Sequence, residues 1–330
     1  MTVGNSANDT VIHPSLVEDI VSSMHQSEDT SSSGEFETQS SSAITLSNPI
    51  GTTHLLPVLD LAQLQAPRAW NSKFTSFLLA FGFKTTLSDS SLFVKIDDRD
   101  DKGRLTYFLG LQIQYNSDGS LLVAQLKYAK ELLKKTRMEN CKPTSTPSKP
   151  HFQLLVAEGN PLADPTHYMS LVRALQYLTF THPDIAHLVN VVCQYMTHPT
   201  DLHMHLVKRI MRYLQGTLEC GLKYTKTHDF NIAAYFDSDW AVDINTRRSI
   251  TGFVVFLGFN PVSWQSKKQA TVSRSYTEAE YNALAHCAVD VYWIRSLLKD
   301  VSQFIPTPPK LHYDNLFALA LYSPIQYFIL

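Results

Sequence analysis

The chain has 330 residues, of which 44% are hydrophobic and 18% charged, and its formal net charge is −2. That length suggests about two domains, and the near-neutral balance argues against a strongly basic nucleic-acid binder for the chain as a whole. The average hides an asymmetry, because residues 1–60 hold eight acids and no Lys or Arg, so residues 61–330 carry +6.

Residues 1–60 are acidic and Ser-rich, with Ser31-Ser32-Ser33 and Ser40-Ser41-Ser42. Such a segment cannot bury enough apolar area to offset its conformational entropy, so a disordered tail is expected. From 66 onward Trp70, Phe74, Phe77, Leu78 and Phe81 recur at helical spacing, and Gly82 follows as a C-cap. Strands are predicted at 92–94, 107–114 and 121–124, with the charge run 97–103 as a solvated turn between the first two. Tyr128, Leu132 and Leu133 mark a short amphipathic helix with Lys127, Lys130, Lys134 and Lys135 on its outer face, and Pro143, Pro147 and Pro150 make a linker.

Residues 168–216 read as helical. Tyr168, Leu171, Val172, Leu175 and Leu178 form one stripe. Pro183 starts a second helix with Ile185, Leu188, Val192 and Tyr195, and Leu202, Leu206, Ile210 and Leu214 form a third that Gly216 closes. Lys208, Arg209 and Arg212 lie opposite that third stripe, as a solvated face or a phosphate contact. Strands follow at 232–237, 253–257 and 262–265, then a long helix over 277–299 and a last strand at 310–313. Three strands, a helix and another strand predict a mixed sheet with helices packed on it.

The four cysteines (Cys141, Cys193, Cys220, Cys287) form no CxxC pair, so reduced, buried thiols are expected. No apolar run approaches the roughly 18 residues needed to span a membrane. The N-terminus has no basic region ahead of an apolar core, so no signal peptide is expected. An intracellular protein, cytoplasmic or nuclear, is the resulting expectation.

Three acids stand at element ends: Asp237, Glu280 and Asp314. Carboxylates gathered from separate elements repel one another unless a cation compensates, and hard oxygen ligands suit magnesium. Spacing alone leaves structural roles open. Glu278 fits a capping box with Ser275, Glu280 fits the same role with Thr277, and Asp314 before Asn315 fits a helix cap.

A series of motifs narrows the choice. Gln65-Ala66-Pro67-Arg68-Ala69-Trp70 and Tyr107-Phe108-Leu109-Gly110 come first. Tyr177-Leu178, Pro183-Asp184-Ile185 and Arg212-Tyr213-Leu214-Gln215-Gly216-Thr217 follow, then Asp237-Ser238-Asp239-Trp240-Ala241, Arg247-Arg248-Ser249 and Thr251-Gly252. Ser263-Trp264-Gln265-Ser266-Lys267-Lys268-Gln269, Thr277-Glu278-Ala279-Glu280-Tyr281 and Asp314-Asn315 complete it. In this order the chain resembles the Pol polyprotein of copia-type LTR retrotransposons over most of 63–324. The resemblance implies an α/β chain ending in a ribonuclease H-like mixed sheet with flanking helices (226–330). Before it would come a helical connection region (151–225) and a partial reverse-transcriptase palm and thumb (61–150).

The same resemblance implies that Asp237, Glu280 and Asp314 are catalytic residues and ligands of a two-metal magnesium site, with Asp239 in reserve for Asp237. It implies that Arg247, Arg248, Lys267, Lys268 and Arg274 contact the backbone of an RNA–DNA hybrid. Surface solubility is the alternative role for these bases. The family's Tyr-Val-Asp-Asp hairpin falls where this chain has only about a dozen residues around Asp97-Asp98, so polymerase activity is not expected. The family continues to a His-rich stretch and a fourth acid, whereas residues 325–330 are mostly apolar and hold no acid, so a weakened second metal site is expected. Ala174 stands where the family usually has glycine. The alternative to a nuclease is an inert relic or a nucleic-acid-binding remnant, and other Pol segments are candidate partners for the missing elements.

Overall fold

The computed structural model describes residues 61–95, 104–148, 155 and 158–312, with side chains from 71 onward. The expected tail, the Asp97-Asp98 turn, Pro150, Asp314 and residues 325–330 lie outside the described residues. The architecture is mixed α/β, with six α-helices and three sheets among the described residues. None of the helices described is long and apolar enough to cross a membrane.

The chain divides into two compact units. The smaller holds helix α1 (Leu61–Ala80), the antiparallel pair β1 (Lys84–Thr85) and β2 (Phe93–Val94), and residues Trp293–Phe304. Helix α1 starts ahead of the predicted 66, and Gly82 ends its turn at φ +84°, where a residue with a Cβ would be strained. Ser88 donates to Asp300 Oδ2 through its amide (2.9 Å) and hydroxyl (2.5 Å). The predicted apolar stripe of α1 is not a core stripe, for Phe74, Phe77 and Phe81 stay 42%, 55% and 58% exposed.

The larger unit contains two four-stranded sheets and the central helices. Strand β3 (Tyr107–Phe108), β4 (Leu111–Tyr115) and β5 (Leu121–Ala124) form an antiparallel meander. The single strand predicted at 107–114 is split by a turn in which Leu109 and Gly110 both take positive φ, and the Tyr177 hydroxyl donates to Leu109 O there. A Cβ on Gly110 would be strained at φ +77° and would meet the Tyr177 hydroxyl at 2.6 Å, so any other residue there displaces that side chain. Strand β6 (Leu222–Tyr224), at the end of the expected helical connection region where no strand was predicted, completes the sheet by pairing antiparallel with β5.

Helix α2 (Leu126–Lys135) buries Ala129, Leu132 and Leu133 and leaves its four lysines exposed, as its pattern predicts. Helices α3 (Pro165–Leu178), α4 (Ala186–Cys193) and α5 (Asp201–Gly216) join it around one core. Asp164 caps α3 by accepting from the Thr166 amide at 2.8 Å. Pro183 begins a short 3-10 turn before α4, and Tyr195 lies past the helix end, stacked on His203 at 3.9 Å. Arg209, on the basic side of α5, holds the preceding proline-rich segment through Thr146 Oγ1 (2.9 Å) and Ser148 O (3.1 Å).

The second sheet has the order β10-β7-β8-β9. Strands β7 (Ile232–Asp239), β8 (Ile250–Leu257) and β9 (Asn260–Lys268) are antiparallel neighbours. Helix α6 (Tyr276–Asp300) then crosses over, and β10 (Lys310–His312) returns parallel to β7. This is the mixed sheet that the order of the elements predicts. Asn260 links the two sheets, accepting from the Thr225 amide (2.8 Å) and donating to Thr225 O (2.9 Å). Trp264 of β9 donates to Thr179 O at 3.0 Å, which seats the sheet against the central helices. The cysteines are free thiols; Cys287 is buried as expected, but Cys141 and Cys193 are only half-buried and Cys220 is exposed.

Candidate active site on the second sheet

Strand β7 alternates, as its sequence dictates. Ile232, Ala234, Phe236 and Ser238 are buried, and Tyr235, Asp237 and Asp239 face the other way and are exposed. Asp237 and Asp239 therefore share one face. Asp237 Oδ1 accepts from the Ser238 amide at 2.7 Å. Its partner across the ladder is Gly252, where an added Cβ would meet nothing within 4 Å. The space beside Asp237 is open.

The start of α6 separates the two glutamates. Glu278 is a capping residue, with its amide donating to Ser275 Oγ (3.1 Å) and its carboxylate accepting from the Arg274 amide (2.8 Å). Glu280 is only 2% exposed, on the side of the helix that also buries Ala279, Ala283 and Cys287. Burial and the Asp290 charge push the Cys287 thiol far up, so it stays protonated.

A residue between β9 and α6 ties these pieces together. Gln269, 2% exposed, shares the two N–H donors of Nε2 among three acceptors, Ala279 O (2.9 Å), Thr251 Oγ1 (3.1 Å) and Ser238 Oγ (3.3 Å). Its Oε1 accepts from Ser273 Oγ at 2.9 Å. One side chain thus joins β7, β8 and the first turn of α6. Asp237 adjoins Ser238 in sequence, and Glu280 adjoins Ala279.

The loop between β7 and β8 is built on Asp243. Its carboxylate accepts from the Asn245 amide (2.8 Å), Thr246 Oγ1 (2.9 Å) and Lys268 Nζ (2.7 Å). Burial raises the Asp243 carboxyl, but the Lys268, Thr246 and Asn245 hydrogen bonds and the Lys268 charge outweigh it and hold it at about 2. Lys268 also donates to Gln194 Oε1 at 2.7 Å, so this cation is committed to holding the loop and the end of α4. Among the other predicted bases, Arg247, Lys267 and Arg274 are exposed and Arg248 is half-buried. Arg247 takes φ +57°, and its amide donates to Asp243 O at 2.6 Å. These bases sit where β7 ends, β8 begins and β9 ends, the end of the sheet that carries Asp237 and Asp239.

Lys268→Met is expected to cost about 1.5–3 kcal/mol at neutral pH, the range for a charge-assisted hydrogen bond. Because the folded Asp243 value lies below the ordinary carboxylate value of about 3.9, its contribution is present above that value and lost as pH falls toward 2. Denaturant midpoints of the variant and the parent should therefore converge on acidification. Equal midpoints at pH 7 would remove the pair from the account.

Sequence reasoning singled out neither Asp243 nor a role for Gln269. Asp243 had a faint signal, an aspartate two residues before Asn245 in a polar turn. Gln269 had none beyond its place in a motif. Among the described residues no group of three or more His, Cys, Asp and Glu side chains is gathered as a metal site, and Asp314 is outside them.

Comparison with known proteins gives the family. A retrovirus-related Pol polyprotein from the Arabidopsis thaliana transposon RE1 is 38% identical over 78% of this chain and 20% of its own length. A retrovirus-related Pol polyprotein from the Nicotiana tabacum transposon TNT 1-94 is 32% identical over 72% of this chain and 21% of its own length. An uncharacterized mitochondrial protein of Arabidopsis thaliana is 47% identical over 58% of this chain and 80% of its own length.

The chain belongs to the copia-type retrotransposon Pol family.

It spans about a fifth of the length of the Pol polyproteins it matches. No family model matches it. No solved structure matches it either. Membership in the Pol family accords with the series of motifs from Gln65 to Asn315, which is the resemblance read from the sequence.

Proposed function

We propose that the second sheet and α6 of this Pol fragment form a ribonuclease H-like unit that hydrolyses the RNA strand of an RNA–DNA hybrid. Asp237, Glu280 and Asp314 are its magnesium ligands in this reading. The observation that carries it is the parallel register of β10 on β7, in which Lys310, Leu311 and His312 pair with Ala233, Ala234 and Tyr235. The sequence offset that pairs His312 with Tyr235 is the same offset that separates Asp314 from Asp237.

The donor chemistry fits magnesium. Carboxylate oxygens are hard ligands, Asp237 borders open space, and Glu280 is held out of bulk water. Bound there, magnesium supplies a more acidic water and neutralises charge on the phosphodiester. The residues of the chain do the rest. The ladder with β8 fixes Asp237, the first turn of α6 fixes Glu280, and exposed Arg247, Lys267 and Arg274 attract hybrid phosphates. Lys268 and half-buried Arg248 support the loop that presents Arg247. Residues 61–150 are read as a reverse-transcriptase remnant without polymerase activity, with other Pol segments as partners. An intracellular site of action, cytoplasmic or nuclear, belongs to the same reading.

A second reading, an inert or merely nucleic-acid-binding remnant, draws on the absence, among the described residues, of any group of three or more His, Cys, Asp and Glu side chains gathered to hold a metal. Incubating the full chain with a hybrid labelled on its RNA strand separates the two. Magnesium-dependent shortening of the RNA, absent with chelator and absent from a DNA duplex, is the expected result. Intact RNA with folded, soluble protein would favour the remnant.

A further inference from the structure

The motif Ser263–Gln269 enters the proposed function only through its lysines, and its last residue is buried away from any substrate. We propose that Gln269 is a positioning residue that sets the separation of the Asp237 and Glu280 carboxylates. The inference rests on the ribonuclease H-like reading of these two acids.

A primary amide buried to 2% exposure is unfavourable unless its donors and acceptor are used. Here Nε2 has three acceptors within 3.3 Å and Oε1 accepts from Ser273 Oγ at 2.9 Å. The Gln269 amide also donates to Ser249 O at 2.9 Å, which anchors its own backbone to the start of β8. The partners are not random neighbours. Ser238 follows Asp237 on β7, and Ala279 precedes Glu280 on α6.

Ser238 and Asp237 point to opposite faces of β7, so a pull on Ser238 sets the height of the strand against the helix. The bond to Ala279 O fixes the helix by its backbone, in the turn that carries Glu280. Thr251 pairs with Ser238 across the ladder and completes a three-point brace. A hydrophobic residue at 269 would fill the volume but specify none of these distances. Outer-shell partners of this kind commonly change metal affinity by about 10–100-fold.

The test measures Mn2+ binding to the full chain by electron paramagnetic resonance, alongside denaturant unfolding. Gln269→Met keeps the length of the side chain and removes its polar contacts. The expected result is that Mn2+ dissociation constants rise roughly tenfold, in the range for such outer-shell changes. Ser273→Ala, which removes the bond to Oε1 and the one Ser273 Oγ accepts from Asn282 Nδ2 (3.3 Å) but none of the three brace points, should lose stability and keep the parent affinity. If Gln269→Met unfolds, Thr251→Val serves in its place; it removes one brace point while keeping the branched side-chain shape and is expected to weaken Mn2+ about threefold, a fraction of the outer-shell range. Parent affinity in a folded Gln269→Met, or in Thr251→Val, overturns the proposal and leaves the nuclease reading standing. A parent chain that binds no Mn2+ overturns both.

Discussion

Asp237→Asn is expected to lower hybrid cleavage by at least about a hundredfold, because losing a metal ligand should exceed the 10–100-fold cost of losing an outer-shell partner. The substitution keeps the shape of the side chain and its ability to accept from the Ser238 amide, so the fold should be unchanged. Asp239→Asn is the natural comparison. Both residues are exposed on the same face of β7, and the family motif alone leaves Asp239 as the reserve. Asp237 sits opposite Gly252, with open space beside it, whereas Asp239 sits opposite Ile250 at the margin of the ladder. Single-turnover cleavage by the two variants decides the assignment. A silent Asp237→Asn with an inactive Asp239→Asn would transfer the role to Asp239.

The largest expected loss of stability lies elsewhere. Leu175→Ala should destabilise the chain by about 2–5 kcal/mol, the range for truncating a large buried aliphatic side chain. Leu175 is fully buried on α3 in the cluster that also holds Val172, Leu178, Val192, Ile210 and Leu214. Four helices supply that cluster, so the cavity left by truncation borders close-packed side chains that relax only in part. Phe259→Ala, in the turn between β8 and β9, is the contrast. Phe259 is 76% exposed, and its loss should stay within about 0.5 kcal/mol. Denaturant midpoints of the two variants check this directly, and similar losses would mean that the helical cluster is not the principal core.

How much of this was legible depends on whether a residue's role is local. The apolar run 232–237 announces a strand, and β7 is that strand, extended to Asp239 and buried on one face. The stripe of α5 and the lysine face of α2 are equally local, and both were readable. Strand β6 was not, because Leu222–Tyr224 is three residues long and is held by β5, which lies far earlier in the chain. The aromatic stripe of α1 has helical spacing, but spacing cannot say whether a partner surface exists, and Phe77 and Phe81 remain exposed.

At the candidate site the same division holds. Ser275 and Glu278 stand at capping-box spacing, so the cap of α6 was visible in the sequence. Gln269 was invisible because its three acceptors come from three separate elements. Lys268 looked like one more surface base beside Lys267. Its use on Asp243 and Gln194 depends on a loop conformation that no periodicity encodes. Arg209 is a parallel case, a cation on a basic helix face that is occupied with Thr146 and Ser148.

The measurement that bears most directly on the central claim is the anomalous scattering of manganese in crystals of the full chain. A manganese peak within coordinating distance of both the Asp237 and the Glu280 carboxylates is the expected result. Manganese bound in ordered crystals with neither carboxylate as a ligand would contradict it.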